Sequence, residues 1–344
     1  MRQLLNTLYV TTHPAYLRLE GDTLCVEVER EKKLQVPLHH LGALVLFGDV
    51  LVSPALLRRC ATDQRSVVLL DRNGRFSARL EGPVSGNVLL RRAHFLASEH
   101  AGQNLELARS FVAGKIRNSR HVLLRGARDS RDDADRNALR EAARHLARNL
   151  AGLRGAASTD SVRGLEGDAA RVYFGVLRHL IRVDRRVLFA YEGRNRRPPL
   201  DRINALLSFL YSLVLHDCVS AVEGVGLDPQ IGFLHTLRPG RPALGLDLLE
   251  EFRAVIADRL ALTLINRGQL GEADFETRTG GAVYLTEQGR RTVLTNYQLR
   301  KQDELTHPLL DQSVPVGLLP HVQARLLARA LRGDMEGYLP FLMR

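Results

Sequence analysis

Four residues of the 344-residue chain stand where carboxylate and imidazole chemistry could be done: Glu166, His235, Asp247 and Glu250. Glu166 sits in Leu165-Glu166-Gly167-Asp168-Ala169-Ala170, beside an apolar face marked at helical spacing by Leu165, Ala169, Val172 and Val176. A carboxylate beside such a face must be hydrogen-bonded, paired or metal-bound. Pairing with one of the many arginines is the plain structural reading. His235 follows the apolar Gly232-Phe233-Leu234, where a lone histidine is more often a hydrogen-bonded core residue than a ligand. Asp247 and Glu250 are three apart and share one helix face, although Asp247 also suits first-turn support of a helix dipole. Taken together, carboxylate oxygens with one imidazole suit Mg²⁺ or Mn²⁺ better than structural zinc. Such an ion can polarise a phosphodiester oxygen and activate an attacking hydroxyl. The chain has no GxxxxGK[ST] phosphate loop, no HExxH and no GxSxG, and Gly280-Gly281 reads as a turn.

The elements that must position these groups change character along the chain. Short runs rich in Val, Leu, Tyr and Thr recur at Leu5–Thr11, Tyr16–Leu19, Leu24–Val28, Leu44–Phe47, Val67–Leu70 and Phe76–Leu80. Turn signals such as Glu20-Gly21-Asp22 and Arg72-Asn73-Gly74 separate them. One helix interrupts them, capped by Ser53. After Gly82-Pro83 the apolar spacing becomes helical through Leu89, Leu90 and Ala93, then Leu105, Ala108, Phe111 and Val112, then Leu139, Ala142 and Ala143. Further helices are expected around residues 160–182, 200–219, 247–266 and 318–332. The expected fold is α+β: an N-terminal β domain over residues 1–85, a compact sheet or small sandwich, then a large all-α domain over 86–344; with little charge and no candidate catalytic group, the first is expected to serve dimerisation.

Charge narrows the function. The net charge is +11 and the pI about 10.1. It is concentrated: residues 101–200 carry 21 basic and 11 acidic groups, a surplus of 10, whereas residues 1–100 carry 13 and 10 and residues 201–344 carry 15 and 17. The basic groups of the middle third are almost all arginine, whose guanidinium matches phosphate bidentately, so a nucleic-acid backbone is the expected partner. Ala127–Arg136 instead reads as a stretch whose arginines pair with neighbouring aspartates. No run of eighteen apolar residues appears, and Leu206–Leu215 suits a buried element, so no membrane is expected. No secretory signal is visible. Cys25, Cys60 and Cys218 lie far apart and read as packing residues in a reducing cytoplasm.

At these residues the sequence resembles a known family, the CRISPR-associated adaptation integrases ("Cas one"), and within it the branch that accompanies type I-C systems. The resemblance spans essentially the whole chain. It rests on Leu5-Asn6-Thr7-Leu8-Tyr9-Val10, on Leu165-Glu166-Gly167, and on the block Asn195-Arg196-Arg197-Pro198-Pro199-Leu200-Asp201-Arg202-Ile203-Asn204-Ala205-Leu206-Leu207-Ser208. Gly232-Phe233-Leu234-His235, Arg238-Pro239-Gly240-Arg241-Pro242-Ala243-Leu244 and Asp247-Leu248-Leu249-Glu250 follow in order. The resemblance implies a small β-sandwich ahead of an all-α catalytic domain. It also implies a homodimer, two of which are bridged by a small partner Cas protein to insert short duplex DNA fragments into the CRISPR array. Glu166, His235 and Glu250 then resemble the family's metal ligands, with Asp247 as a nearby carboxylate that could exchange roles with Glu250. Tyr191, Arg196, Asn204 and Tyr211 fall in the block flanking the family's site. The resemblance makes these four DNA-contacting or positioning groups, and with Arg163, Arg197, Arg238, Arg241, Arg300 and Lys301 they make up the candidate DNA-binding set. The implied reaction is transesterification by a 3′-hydroxyl, with hydrolysis when water attacks instead. Two other readings use the same residues: a non-catalytic DNA-binding scaffold, and a general metal-dependent nuclease with no integration role.

Overall fold

The computed structural model describes residues 7–10, 12, 14–63, 65–71, 76–80, 82 and 88–343. Of the expected first strand, Leu5, Asn6 and Thr11 lie outside the described residues, as do Arg72-Asn73-Gly74 and Pro83. The chain forms two compact units. One comprises residues 1–85 with Glu287–Gln302, the other residues 86–286 with 303–344.

Among its described residues the first unit holds eight strands: β1 (Thr7–Val10), β2 (Ala15–Glu20), β3 (Thr23–Val28), β4 (Glu31–Pro37), β5 (Ala43–Phe47), β6 (Val50–Val52), β7 (Ser66–Leu70) and β8 (Phe76–Leu80). They make two four-stranded sheets, ordered β1-β5-β7-β8 and β4-β3-β2-β6. Side chains from both sheets share one core, with Leu17, Leu24 and Val26 from one and Leu44, Leu46 and Val67 from the other. The pleat explains the selection: along β2, Ala15 and Leu17 are buried while Tyr16 between them is exposed. Helix α1 (Pro54–Thr62) adds Leu56 and Cys60 to this core, and its Ser53 cap accepts the Leu56 amide at 3.3 Å. β4 and β6 have no counterpart among the expected strands. β4 exposes Glu31, Lys32 and Lys33 along a sheet edge, a charge pattern that blunts edge-to-edge pairing and hides the strand from a hydrophobic reading.

The second unit is mainly helical: α2 (Val88–Glu99), α3 (Ala101–Asp129), α4 (Asp133–Gly152), α5 (Thr159–Gly175), α6 (Arg202–Gly224), α7 (Ala243–Phe252) and α8 (Arg259–Asn266). The segment Arg253–Asp258 between α7 and α8 is π-helical. Side-chain caps mark the starts of four helices: His100 on Gln103 N (3.2 Å), Asp132 on Asp135 N (2.8 Å), Ser158 on Ser161 N (3.2 Å) and Asp201 on Asn204 N (2.7 Å). The expectation of an all-α domain over 86–344 is corrected in two ways. Two short hairpins lie there, β9 (Phe275–Thr277) with β10 (Val283–Leu285), and β11 (Glu304–His307) with β12 (Gln312–Pro315). The helix between them, α9 (Glu287–Gln302), belongs to the first unit. Gly280 and Gly281, at φ 88° and 78°, make the turn of the first hairpin. Helix α10 (Leu319–Leu331) follows. By length and composition α6 could cross a membrane, but 72% of its apolar window is buried inside the protein, as in a core helix. The three cysteines are buried and unbridged.

Candidate active site

Helices α3, α5 and α7 and the loop before α7 bring four of the expected residues together. Glu250, on α7, is 3% exposed. Its Oε2 lies 2.8 Å from Lys115 Nζ of α3, its Oε1 3.0 Å from Arg253 Nη2 and 3.9 Å from His235 Nε2. Glu166, on α5, pairs through Oε1 with the same Lys115 ammonium. Burial pushes the Glu250 carboxyl up, but Arg253, Lys115 and His235 outweigh it and hold the group down at about 2. The result is a buried carboxylate that is ionised because cations surround it.

Asp247 stands behind this cluster. It is fully buried, and its Oδ2 accepts the backbone amides of Phe233 (2.6 Å) and Leu234 (3.0 Å). Its Oδ1 accepts the His235 amide (2.9 Å) and Nδ1 (2.6 Å). One carboxylate therefore folds the loop and aims the ring, leaving Nε2 toward Glu250. Gly232 permits the loop to run this close to α7, since a Cβ there would meet Ala243 Cβ at 2.8 Å and Asp247 Oδ2 at 2.9 Å. Gly245 does the same between α6 and α7, where a Cβ would lie 2.5 Å from Val219 Cγ2. Arg163 braces the loop from α5, donating Nε to Leu234 O at 2.7 Å.

The donors left facing one another are two carboxylates and an imidazole nitrogen, a set suited in kind to a hard divalent cation. Among the described residues no three His, Cys, Asp or Glu side chains are close enough to form a ready-made cage. The Lys115 ammonium lies between Glu166 and Glu250 instead. Asp247, with both oxygens engaged, is oriented as support for His235. Glu250 and Glu166 are the carboxylates that could hold a cation.

The family model for the CRISPR associated protein Cas1 matches residues 8–299. The chain belongs to the Cas1 family. A relative from Moorella thermoacetica named CRISPR-associated endonuclease Cas1 1 is 56% identical over 344 residues, covering all of both chains, and the chain is an enzyme of this Cas1 endonuclease family. Among solved structures, a Cas6-RT-Cas1–Cas2 complex matches with TM-score 0.84 at 20% identity, covering all of this chain and 37% of that one. A casposase bound to integration product matches with TM-score 0.81 at 22% identity, covering 97% and 92%. These likenesses establish the Cas1 fold, a β-rich N-terminal region followed by a mostly helical domain.

Within this Cas1 fold the remaining expected residues divide by exposure. Arg196, Arg197 and Arg238 are exposed, and Arg241 is half-buried with Nη1 3.4 Å from Thr236 Oγ1. Asn204 and Tyr211 are buried and engaged inside the protein. Asn204 Oδ1 accepts Arg194 Nη1 (2.6 Å) and its Nδ2 donates to Gly193 O (2.8 Å), closing the loop ahead of α6. Tyr211 donates to Asp258 Oδ1 at 2.7 Å, and the Arg253 guanidinium stacks 4.7 Å from its ring centre. These two shape the site instead of presenting a surface. Tyr191 is half-buried, and burial raises its hydroxyl well above the ordinary range. Arg300 and Lys301 end α9 in the first unit; Lys301 is 4% exposed, with its ammonium 5.6 Å from the Tyr297 ring.

Three functional positions escape the sequence reading: Lys115, Arg253 and Asp258. Asp258 accepts hydroxyls from Tyr211 and from Tyr173 (2.9 Å), and burial lifts its carboxyl to about 6 against those hydrogen bonds. A signal for Lys115 exists in the composition. The chain's lysines are Lys32, Lys33, Lys115 and Lys301 within a total of 49 basic residues, so a lysine among so many arginines marks a position where a compact ammonium is wanted.

Proposed function

We propose that this chain is a spacer-acquisition integrase. It joins the 3′-hydroxyl of a short duplex DNA fragment to the phosphodiester at the repeat boundary of a CRISPR array, and it cleaves DNA when water takes the hydroxyl's place. The observation that carries this reading is the convergence of Glu166, Glu250 and His235 Nε2 beside two cationic side chains, in a chain whose middle third has a surplus of ten positive charges. The matched fold of a casposase bound to integration product supports the joining reaction.

We assign Mg²⁺ or Mn²⁺ as the cofactor, held by Glu166, Glu250 and His235; when bound it supplies polarisation of the phosphodiester and activation of the attacking hydroxyl. The chain's own residues do the rest. Asp247 engages His235 Nδ1 and so turns Nε2 toward the reacting centre. Arg253 and Lys115 keep Glu250 ionised and offset charge that develops on phosphate. Arg196, Arg197, Arg238 and Arg241 contact the DNA backbone, so binding falls steeply with salt. The first unit pairs two copies into a homodimer, and a small partner Cas protein bridges two such dimers, a partnership supported by the matched Cas6-RT-Cas1–Cas2 complex. The protein works in the cytoplasm, and the ordered sequence blocks assign it to the type I-C branch.

The test is strand transfer of a short duplex into a supercoiled repeat-containing plasmid, with Mg²⁺, Mn²⁺ or EDTA, using wild type and His235→Ala, with and without the small partner. A metal-dependent joined product that disappears with His235→Ala is expected. Cleavage with no branched product would favour the second reading, a general metal-dependent nuclease, which the endonuclease name of the Moorella thermoacetica relative keeps in view. Absence of any product despite salt-sensitive DNA binding would remove the assignment of the site.

A further inference from the structure

Lys115 occupies the point where the two carboxylates meet. Its ammonium contacts Glu166 Oε1 and lies 2.8 Å from Glu250 Oε2, with 11% of the side chain exposed. What holds the lysine there is independent of these ion pairs. Three residues along α3, Asn118 donates to Glu251 O (2.9 Å) and Phe341 O (2.8 Å) and accepts from the Met343 amide (2.8 Å). Gly114, the neighbour of Lys115, lets α3 approach α7, since a Cβ there would meet Glu251 Cγ at 3.0 Å. The helix is thus locked from behind, and Lys115 projects from it onto the acids.

Two like-charged carboxylates brought together in a buried setting repel each other strongly, and an ammionium between them removes that repulsion. A divalent cation seeks the same oxygens. An ammonium and a dication crowded onto the same oxygens repel each other, so each weakens the other's hold and the dication binds more tightly once the ammonium has moved away. Lysine suits a group that must give way: four flexible carbons carry a compact charge, whereas a guanidinium fork would stay bidentate on a carboxylate.

Resting on the metal reading above, we propose that Lys115 is the resident counter-ion of this site. Its ammonium keeps Glu166 and Glu250 together while no divalent cation is bound, is displaced from them when the cation enters, and then lies beside the phosphate as a positioning charge. No covalent bond to it forms or breaks.

The experiment is a Mn²⁺ titration at one fixed pH, reading free Mn²⁺ by electron paramagnetic resonance, on wild type, Lys115→Met, Lys115→Arg and the control Glu250→Gln. Removing the competing charge should tighten Mn²⁺ binding about tenfold in Lys115→Met, while Lys115→Arg, which keeps the charge, should bind no tighter than wild type. At saturating Mn²⁺, Lys115→Met should still join DNA at least ~100-fold more slowly. A lysine that only braces the fold would instead leave Mn²⁺ affinity unchanged or weaker. Should Lys115→Met fail to fold, the wild type answers alone: acetylation of Lys115, followed by mass spectrometry, should rise about tenfold with a midpoint at the Mn²⁺ dissociation constant, with Lys32 and Lys33 unaffected. Mn²⁺ binding without that rise, or Lys115→Met binding no tighter, overturns the counter-ion role and leaves the metal reading standing. Wild type binding Mn²⁺ no better than Glu250→Gln overturns both.

Discussion

The two faces of α7 set the same residue type in opposite states. On the front, Glu250 meets Lys115, Arg253 and His235, and is held down at about 2. On the back, the adjacent Glu251 is equally buried but meets neutral donors: the Tyr338 hydroxyl, Gln323 Nε2 at 3.0 Å and the Phe341 amide at 2.7 Å. Burial lifts it to about 8, more than those three hydrogen bonds lower it. Burial is common to both, so the charge of the neighbours decides the outcome. The front carboxylate is kept ionised and able to hold a cation. The back one serves as a hydrogen-bonded staple between α7, α10 and the segment that follows it.

The strongest way to break this comparison is Glu250→Gln, which keeps the shape and deletes the charge. Strand joining and cleavage should fall by about 10³-fold or more with the thermal midpoint little changed, as read on product gels beside a melting curve. Activity near wild type would mean the front face is not the reacting one. At the back, Glu251→Ala should cost about 3 kcal/mol of unfolding free energy in a denaturant titration, because three buried donors lose their acceptor, while Glu251→Gln stays within about 1 kcal/mol. Equal losses in the two would show that Glu251 acts as a charge after all. Asp247→Asn should lower joining about 10–100-fold at constant Mn²⁺, since the His235 ring loses its orienting acceptor while the ligands remain. The last effect, seen only across a pH series, concerns Asp258. Its folded value, about 6, lies above the ordinary 3.8, so the folded chain retains that proton more firmly. The associated stabilisation is complete below pH ~4 and is lost as pH rises through about 6. The stability gap between wild type and Asp258→Asn should accordingly shift by up to about 3 kcal/mol across that window in parallel denaturation series.

Much of the site was legible because its polar residues interrupt apolar runs. Glu166, His235, Asp247 and Glu250 each stand beside residues that must be buried, and a polar group in that position needs an explanation. What the pattern could not convey was depth. Asp247 and Glu250 share a helix face, yet one is consumed by three backbone amides and the His235 ring while the other faces Lys115, a difference fixed by the return of the loop through Gly232. Lys115 stayed hidden because nothing local distinguishes it on an amphipathic helix; its partners lie 51 and 135 positions along the chain. Asn204 and Tyr211 read as DNA-contacting or positioning groups, and their burial comes from the loop around Gly193 and the π-helical turn, which local pattern does not reveal. In the fold, β4 was missed for its charges, and the short hairpins because three- and four-residue strands leave almost no period to read.

Asn118 joins residues 223 and 225 positions apart when it bonds Phe341 and Met343. Closing so long a loop carries an entropic cost that rises with the logarithm of its length, and contacts of such separation are among the last to form as a chain folds. The clamp that ties the helix carrying Lys115 to the C-terminal segment is therefore a costly one in chain entropy. A partly folded chain can hold the helices and still lack this contact, so a completed fold is needed before the Lys115 cluster is whole.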